Sequence, residues 1–495
     1  MKTLVCVSIT SKTLQGALRD IRLSKGADII EIRLDFIKGV TDAVVRTLIK
    51  GSTKPIIATC RPTAFGGNFK GPESKRIQLL EAAARDASYI DVEFGSVAAR
   101  HFLGRPKSKL NAKIILSHHD FKGTPSLPDL QSMYGRMMKE RPDHIKIVTY
   151  ASSILDNFKM FDLLKWKKGL IGLCMGEKGK ISRILAPKFG SFLTFASVSD
   201  GRESAPGQLA LAEILWLYQV KRITPRTKVF GIIAQDASKS LSPHMHNPLF
   251  GKKGIDAVYL PFSVSSIELK DFMKEFRRFG FMGASITIPH KESIIPFLDG
   301  LDSIPKRIGA VNTVVNKREK LVGYNTDAYG IMQALRENTQ IKGKKILVLG
   351  AGGAARAAVF SLSQEGALIA IANRTVSKAK ALAQEFNGGW IETSHLKESI
   401  GGYDIIINTT SVGMAPDHQR TPLPLIEMPK GKVVMDIIYK PRNTLLIKTA
   451  RSRGCRTITG DRMLLHQAVK QFILWTGISP QISLMEKQLE AHTKE

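Results

Sequence analysis

The chain of 495 residues has only four cysteines, Cys6, Cys60, Cys174 and Cys455, widely separated and without a CxxC pair. Such thiols make neither a structural zinc site nor a disulfide framework, and they suit a reducing compartment. Long apolar runs are also missing, since none reaches the roughly 18 uninterrupted residues that span a bilayer. The opening MKTLVCVSIT runs straight into a strand pattern, without the features of a secretory signal or an organelle transit peptide. A cytoplasmic protein without a membrane partner or a bound metal is expected. Acidic residues are scarce: 43 Asp and Glu face 73 Lys and Arg, a formal net charge of +30. The basic excess is spread along the whole chain, with no basic tail and no aromatic-studded stripe. That argues against a nucleic-acid partner and for the capture of small anionic substrates.

What the chain does have is alternation. At about 100–250 residues per domain, its length calls for two or three domains. Residues 1–220 hold eight short apolar runs: 3–9, 28–34, 55–60, 89–94, 113–118, 144–150, 169–175 and 191–197. Amphipathic segments separate most of them, which implies parallel strands and a (β/α)8 barrel. Barrel enzymes build their sites at the C-terminal ends of the strands. Here those ends carry Glu31 and Arg33, Arg61, Glu93, His119 and Lys146, with Arg183, Ser204 and Gln208 in the loops after the last two runs. Lys146 lies inside HIKIVTYA, where an ammonium group needs a reason to be. In apolar surroundings a lysine loses proton affinity, and its neutral amine can attack a ketone to form a Schiff base. A nearby imidazole can then move protons, with Glu93 beside it to orient or balance it. The arginine forks suit a substrate carboxylate.

The segment LALAEILWLYQV (209–220) reads as a helix, and KRITPRTK (221–228) as a linker between domains. Beyond it, residues 229–335 form another α/β pattern, in which Ser240 and Ser242 precede a helix start at Pro243. Lys291 and Asp327 form a candidate proton-transfer pair. Then GKKILVLGAGGAARAAVF gives a strand, a glycine turn and a helix, with Gly350, Gly352 and Gly353 placed for close approach of a pyrophosphate. The next strand ends in Asn373, Arg374 and Thr375. Arginine here suits a ribose 2′-phosphate, so NADP is expected over NAD. DIIINTTSVGM (404–414) reads as a later strand of the same Rossmann domain, 336–460, with its cofactor-facing loop. Residues from about 461 to 490 return to the 229–335 domain.

Two joint patterns go further. EIRLD, DVE, SHHDF, HIKI, ISR and SAPGQ together resemble the type I 3-dehydroquinate dehydratases. The resemblance implies Lys146 as the imine-forming lysine, and His119 rather than His118 as the general acid/base with Glu93 beside it. It also implies Arg183 on the substrate carboxylate, and Ser8, Glu31, Arg33, Arg61, Ser204 and Gln208 around the ring hydroxyls and the lid. SLSP, TIPHK, GAVNT, NTD, LGAGGAAR, NRT, NTTSVGM, DIIYKP and GDRMLLHQA, in that order, are similar to shikimate dehydrogenase. That implies Lys291 and Asp327 as a catalytic dyad, and Ser240, Ser242, Thr287, Asn312, Tyr439, Gln467 and Gln471 as the substrate pocket. NADP(H) would meet Gly350, Ala351, Gly352, Gly353, Ala354, Asn373, Arg374, Thr375, Thr410, Ser411, Met414 and Gly460. His290 departs from the Phe that many relatives carry before the lysine. The two resemblances imply consecutive steps, 3-dehydroquinate to 3-dehydroshikimate to shikimate. Oxidation of quinate with NAD and a catalytically silent sensor are the alternatives.

Overall fold

The computed structural model describes residues 3–493 except 107, 109, 168 and 424–429. It divides into two compact units, Met1–Lys228 with Gly254–Ser263, and Val229–Lys253 with Val264–Glu495.

In the first unit all eight apolar runs form strands: β1 Leu4–Ile9, β2 Ile29–Arg33, β3 Ile56–Thr59, β4 Tyr89–Glu93, β5 Lys113–His119, β6 His144–Tyr150, β7 Ile171–Met175 and β8 Leu193–Ser197. They pair in parallel in sequence order, and β8 returns to lie beside β1, with Leu4 opposite Leu193. Among the described residues no ladder joins β7 to β8, but Phe192 N donates to Leu170 O at 3.0 Å. This is the expected (β/α)8 barrel. Successive strand side chains point to opposite faces. Cys6, Ile29, Ile57, Ile115, Ile171 and Leu193 share one parity and fill the floor of the barrel.

The segment 209–220 departs from the expected helix at its start, and residues 211–217 are helical. Leu209–Ala210 form a short strand, β9, that extends the sheet beside β8, and Glu213–Leu217 wind as a π-helix. Backbone pairing to β8 outcompetes the helical periodicity at the start of this run. The expected linker begins with a 3-10 turn at Val220–Arg222, and Lys188 Nζ donates to Thr227 O at 2.8 Å and Pro225 O at 3.0 Å. Strand β11, Ala257–Ser263, also belongs to this unit by its contacts.

The second unit contains two sheets. In one, β10 (Lys228–Ala234) runs parallel to β12 (Gly283–Ile286), β12 antiparallel to β14 (Thr313–Lys317), and β14 antiparallel to β15 (Lys320–Tyr324); β13 (Gly300–Leu301) lies parallel to β15. The other is wholly parallel, built from β16 Lys345–Leu349, β17 Leu368–Ala372, β18 Gly389–Ile391, β19 Ile405–Asn408, β20 Val433–Asp436 and β21 Arg456–Ile458. Its order is β18-β17-β16-β19-β20-β21, the doubly wound arrangement whose crevice opens between β16 and β19. Ile346 and Val348 pack into one apolar layer and Leu347 and Leu349 into the other, so β16 is buried on both faces.

Candidate active sites

Above the barrel floor the inward positions turn polar. Ser8, Glu31, Arg33, Asp91, Ser117, His119 and Lys146 all keep the parity of the floor residues on their strands. Lys146, 5% exposed, places Nζ 3.0 Å from Asp91 Oδ2, 3.6 Å from Glu31 Oε1 and 4.3 Å from the centre of the Phe195 ring. Arg61 Nη2 donates to Asp91 Oδ1 at 2.9 Å, and Ser117 Oγ reaches the same oxygen at 2.6 Å. Burial works against the Asp91 charge, yet Lys146 and Arg61 outweigh it and hold its pKa below the usual carboxylate range. Glu31 behaves alike, its burial offset by Lys146 and Arg33, and it accepts from Ser8 Oγ at 2.6 Å and Thr59 Oγ1 at 3.0 Å. Buried charges are tolerated where each has partners, as these do.

His119 Nδ1 lies 2.8 Å from Arg61 Nη1. Burial, then Arg61 and Lys146, push its pKa well below the ordinary histidine value. His118 has the opposite parity and lines a separate surface cleft with Asp120, Asp129 and Arg136. Arg33 is held by Asp35 through two bonds of 2.9 and 2.7 Å. Arg183, 2% exposed, has no partner for Nε or Nη2 among the described residues, and burial lowers its pKa to about 10. Gln208 Oε1 accepts from Ser204 N at 2.7 Å and Ser204 Oγ at 3.1 Å, and Gln208 Nε2 reaches Ser8 Oγ at 3.5 Å. Glu31, Arg33, Arg61, His119, Lys146, Arg183, Ser204 and Gln208 line one cleft, where an amine, an imidazole and an unsatisfied guanidinium meet.

Glu93 is not part of that meeting. Its Oε2 accepts from Arg76 Nη1 at 2.7 Å, and Arg76, fully buried on the helix Glu73–Ala84, also holds Glu73. No hydrogen bond joins Glu93 to His119 among the described residues. A guanidinium from the helix layer holds Glu93, the carboxylate near Lys146 is Asp91, and no hydrogen bond among the described residues carries the expected place of Glu93 beside the imidazole. Asp91, Ser117 and Arg76 escaped the sequence reading. The first two carried a signal, because the period-two rule that selects Glu93 and His119 selects residues two positions earlier as well.

In the second unit Lys291 Nζ donates to Asp327 Oδ2 at 2.5 Å. Asp327 opens the helix Asp327–Arg336, where Asn325 Oδ1 accepts from its N–H at 3.1 Å. Asn312 Nδ2 lies 2.8 Å from Asp327 Oδ1 and 3.0 Å from Gln467 Oε1. Gln471 Nε2 donates to Thr313 Oγ1 at 3.0 Å and its Oε1 accepts from Ser285 Oγ at 2.9 Å. Lys291, Asp327, Asn312, Gln467 and Gln471 thus form one polar network. Ser240 Oγ accepts from Ser242 N at 3.2 Å, and Thr287 joins the turn through its backbone. Neither those hydroxyls nor the half-buried Tyr439 bond to the dyad among the described residues. His290 is fully buried and donates from Nε2 to Val264 O at 2.7 Å, which fixes the ring beside Lys291.

The nucleotide crevice lies close by. Gly350 has φ +114, and a Cβ there would come within 2.6 Å of Thr409 Oγ1. A Cβ on Gly353 would lie 3.4 Å from Lys291 Cδ, whereas above Gly352 the space is open. The helix Gly353–Gln364 starts without a side-chain cap, leaving its first N–H groups, among them those of Gly353 and Ala354, for an anion. Ala351 bridges the turn. Arg374 is exposed and has no ion pair among the described residues, and Asn373 Nδ2 donates to Thr375 O at 2.9 Å. Thr410 is held by Asn408 Oδ1, Met414 N donates to Ser411 O at 3.1 Å, and Gly460 opens the helix Gly460–Thr476 where a Cβ would collide with Ile437 O. A glycine turn, an uncapped helix and an unpaired arginine at the neighbouring strand end fit a dinucleotide with a 2′-phosphate.

Family models match along most of the chain: type I 3-dehydroquinase over 5–225, the shikimate dehydrogenase substrate binding domain over 232–314, shikimate/quinate 5-dehydrogenase over 332–445 and the shikimate 5′-dehydrogenase C-terminal domain over 462–490. The chloroplastic bifunctional 3-dehydroquinate dehydratase/shikimate dehydrogenase of Arabidopsis thaliana is 36% identical, over 96% of this chain and 82% of its own. The NADP(+) shikimate dehydrogenase of Pyrococcus furiosus is 43% identical over 55% of this chain and 99% of its own. The crystal structure of the Thermus thermophilus shikimate 5-dehydrogenase with NADP(H) and shikimate covers 54% of this chain and 100% of its own, at 35% identity and a TM-score of 0.50. With a lysine-bearing barrel and a dyad beside a dinucleotide crevice in one polypeptide, the chain belongs to the bifunctional 3-dehydroquinate dehydratase/shikimate dehydrogenase family.

Proposed function

We propose that this protein dehydrates 3-dehydroquinate to 3-dehydroshikimate in the barrel and reduces 3-dehydroshikimate to shikimate with NADPH in the second unit. The observation that carries the reading is the pairing, in one cleft, of a buried lysine amine with a buried guanidinium whose Nε and Nη2 have no partner among the described residues. The lysine offers the nucleophile for a ketone, and Arg183 waits for a carboxylate. Lys146 forms the imine, His119 moves the protons, and Arg183 binds the substrate carboxylate. Glu31, Arg33, Arg61, Ser8, Ser204 and Gln208 meet the ring hydroxyls and close the loop over them.

In the second unit Lys291 and Asp327 hold and deliver the proton at the substrate oxygen, and Asn312, Gln467 and Gln471 orient the ring. Ser240, Ser242, Thr287 and Tyr439 complete the pocket once substrate is bound. Gly350, Ala351, Gly352, Gly353 and Ala354 would hold the pyrophosphate of the nucleotide, Arg374 would pair with a 2′-phosphate, and Thr410, Ser411, Met414 and Gly460 would complete the cofactor site. When bound, NADPH supplies hydride to the ketone. The functional domains are 1–220, 229–335 with about 461–490, and 336–460, and a cytoplasmic location is part of the same proposal. Among the described residues no helix is long and apolar enough to cross a membrane.

Borohydride trapping tests the barrel assignment. Incubation with 3-dehydroquinate and sodium borohydride is expected to add one reduced substrate covalently at Lys146, found by peptide mass analysis. Adduct at another lysine, or none in an active preparation, would overturn it.

A further inference from the structure

A catalytic imidazole is usually oriented by an acceptor, a carboxylate or carbonyl that keeps the proton on the nitrogen facing it. His119 has the reverse arrangement. The group 2.8 Å from its Nδ1 is Arg61 Nη1, and a guanidinium can only donate. Nδ1 must therefore accept, and in the neutral ring the proton sits on Nε2. The latter has no partner among the described residues, and the ring lines the cleft. Arg61 is itself pinned, with Nη2 on Asp91 Oδ1 at 2.9 Å and Nη1 within 3.3 Å of Ser117 Oγ.

We propose that Arg61 is a positioning residue that selects the tautomer of His119, so that the resting imidazole presents an N–H to the cleft and becomes a base only when substrate draws the guanidinium away. This rests on the dehydratase reading above. The proton balance is simple. With Arg61 gone, Nδ1 takes up, relayed through water, the proton that the Lys146 ammonium loses as it attacks the ketone, and the ring becomes imidazolium. Its Nε2 proton passes to the hydroxyl of the lysine–ketone adduct as the C–O bond breaks, so water leaves and the protonated imine remains. The ring is then neutral with the proton on Nδ1, and the freed Nε2 lone pair can remove the proton alpha to the imine. An anionic substrate is a suitable trigger, because its oxygens compete for the same guanidinium.

The charged groups that face the ring agree with this. Arg61, Lys146 and Arg33 all oppose a second proton on the resting ring, as does His118 from the other face of the strand. Asp91, the anion that holds Arg61, spends both oxygens on Lys146, Arg61 and Ser117. Phe121 stacks against the ring with its centroid 6.2 Å away and supplies no hydrogen bond.

The test is nitrogen NMR of the full-length chain labelled with 15N-histidine, His119 being assigned by the signal lost in His119→Gln. In the free enzyme Nδ1 is expected at the unprotonated position and Nε2 at the protonated one. Adding 3-dehydroshikimate is expected to exchange the two. Arg61→Met is expected to mix the tautomers and to move the pH at which the free-enzyme His119 ring takes its second proton, read from the same nitrogen signals, upward by about one pH unit or more; Arg61→Lys, which keeps a donor, is expected to shift it less. A protonated Nδ1 in the free wild type, a spectrum unmoved by 3-dehydroshikimate, or a His119 titration unmoved in Arg61→Met would overturn the proposal. The wild-type spectrum decides even if the methionine variant does not fold. An enzyme with the expected tautomer but no turnover of 3-dehydroquinate would refute the dehydratase reading and leave the Arg61–His119 relationship standing.

Discussion

The carboxylate next to the Lys146 amine is Asp91, 3.0 Å from Nζ, whereas Glu93 on the same strand is turned over to Arg76 at 2.7 Å. One strand thus sends one acid to the reacting centre and another to the wall that supports it. Asp91→Asn removes the charge while keeping the shape. It is expected to lower kcat for dehydration by about 10²-fold, the scale of lost acid–base support, and to leave 3-dehydroshikimate reduction unchanged. Steady-state assays of the two half-reactions check this.

Arg183 is a buried cation with unsatisfied donors, which costs stability in the absence of substrate. Arg183→Met is expected to raise the KM for 3-dehydroquinate by roughly 10–100-fold, the worth of a charge-assisted pair, and to raise the thermal midpoint of the ligand-free protein. A lower midpoint together with an unchanged KM would assign the residue to the scaffold.

The eight strands were legible because parallel barrel strands are apolar and short, and every run became a strand. The rim was legible because polar residues at the ends of such runs are uncommon. Three things were not. Arg76 lies on a helix whose pattern is ordinary, so its claim on Glu93 depends on a tertiary approach that spacing cannot reveal. Asp91 was passed over in favour of its neighbour two positions on, although both have the same parity. The start of 209–220 scans as helix, and only the free edge of β8 makes Leu209 and Ala210 a strand.

The dyad belongs to the second unit and Lys146 to the first. Lys291→Ala and Asp327→Asn are each expected to reduce 3-dehydroshikimate reduction by about 10²–10⁴-fold without changing dehydration of 3-dehydroquinate. Arg374→Asp, by contrast, is expected to lower kcat/KM for NADPH roughly 10–100-fold while sparing NADH, since only the 2′-phosphate loses its partner. A parallel fall with both nucleotides would contradict the role given to Arg374.

Buried His246, packed against Phe250, Phe472 and Trp475, has its pKa pushed down to about 3 by burial. Once the chain unfolds, the ring titrates near 6.5. Below that pH the unfolded chain binds a proton that the folded one refuses, so stability is lost as pH falls from about 6.5 toward 3. The loss is about 1.4 kcal/mol per pH unit. Unfolding of wild type and His246→Phe at pH 7 and pH 5 is expected to show a steeper acid loss in wild type, by about 2 kcal/mol.

The most direct measurement supplies 3-dehydroquinate and NADPH together and follows the nicotinamide absorbance, in wild type, Lys146→Ala and Lys291→Ala. Wild type is expected to consume NADPH. Lys146→Ala should do so only when 3-dehydroshikimate replaces 3-dehydroquinate, and Lys291→Ala with neither. Consumption of NADPH from 3-dehydroquinate by Lys146→Ala at the wild-type rate, or no consumption by wild type from either substrate, would contradict the two-step account.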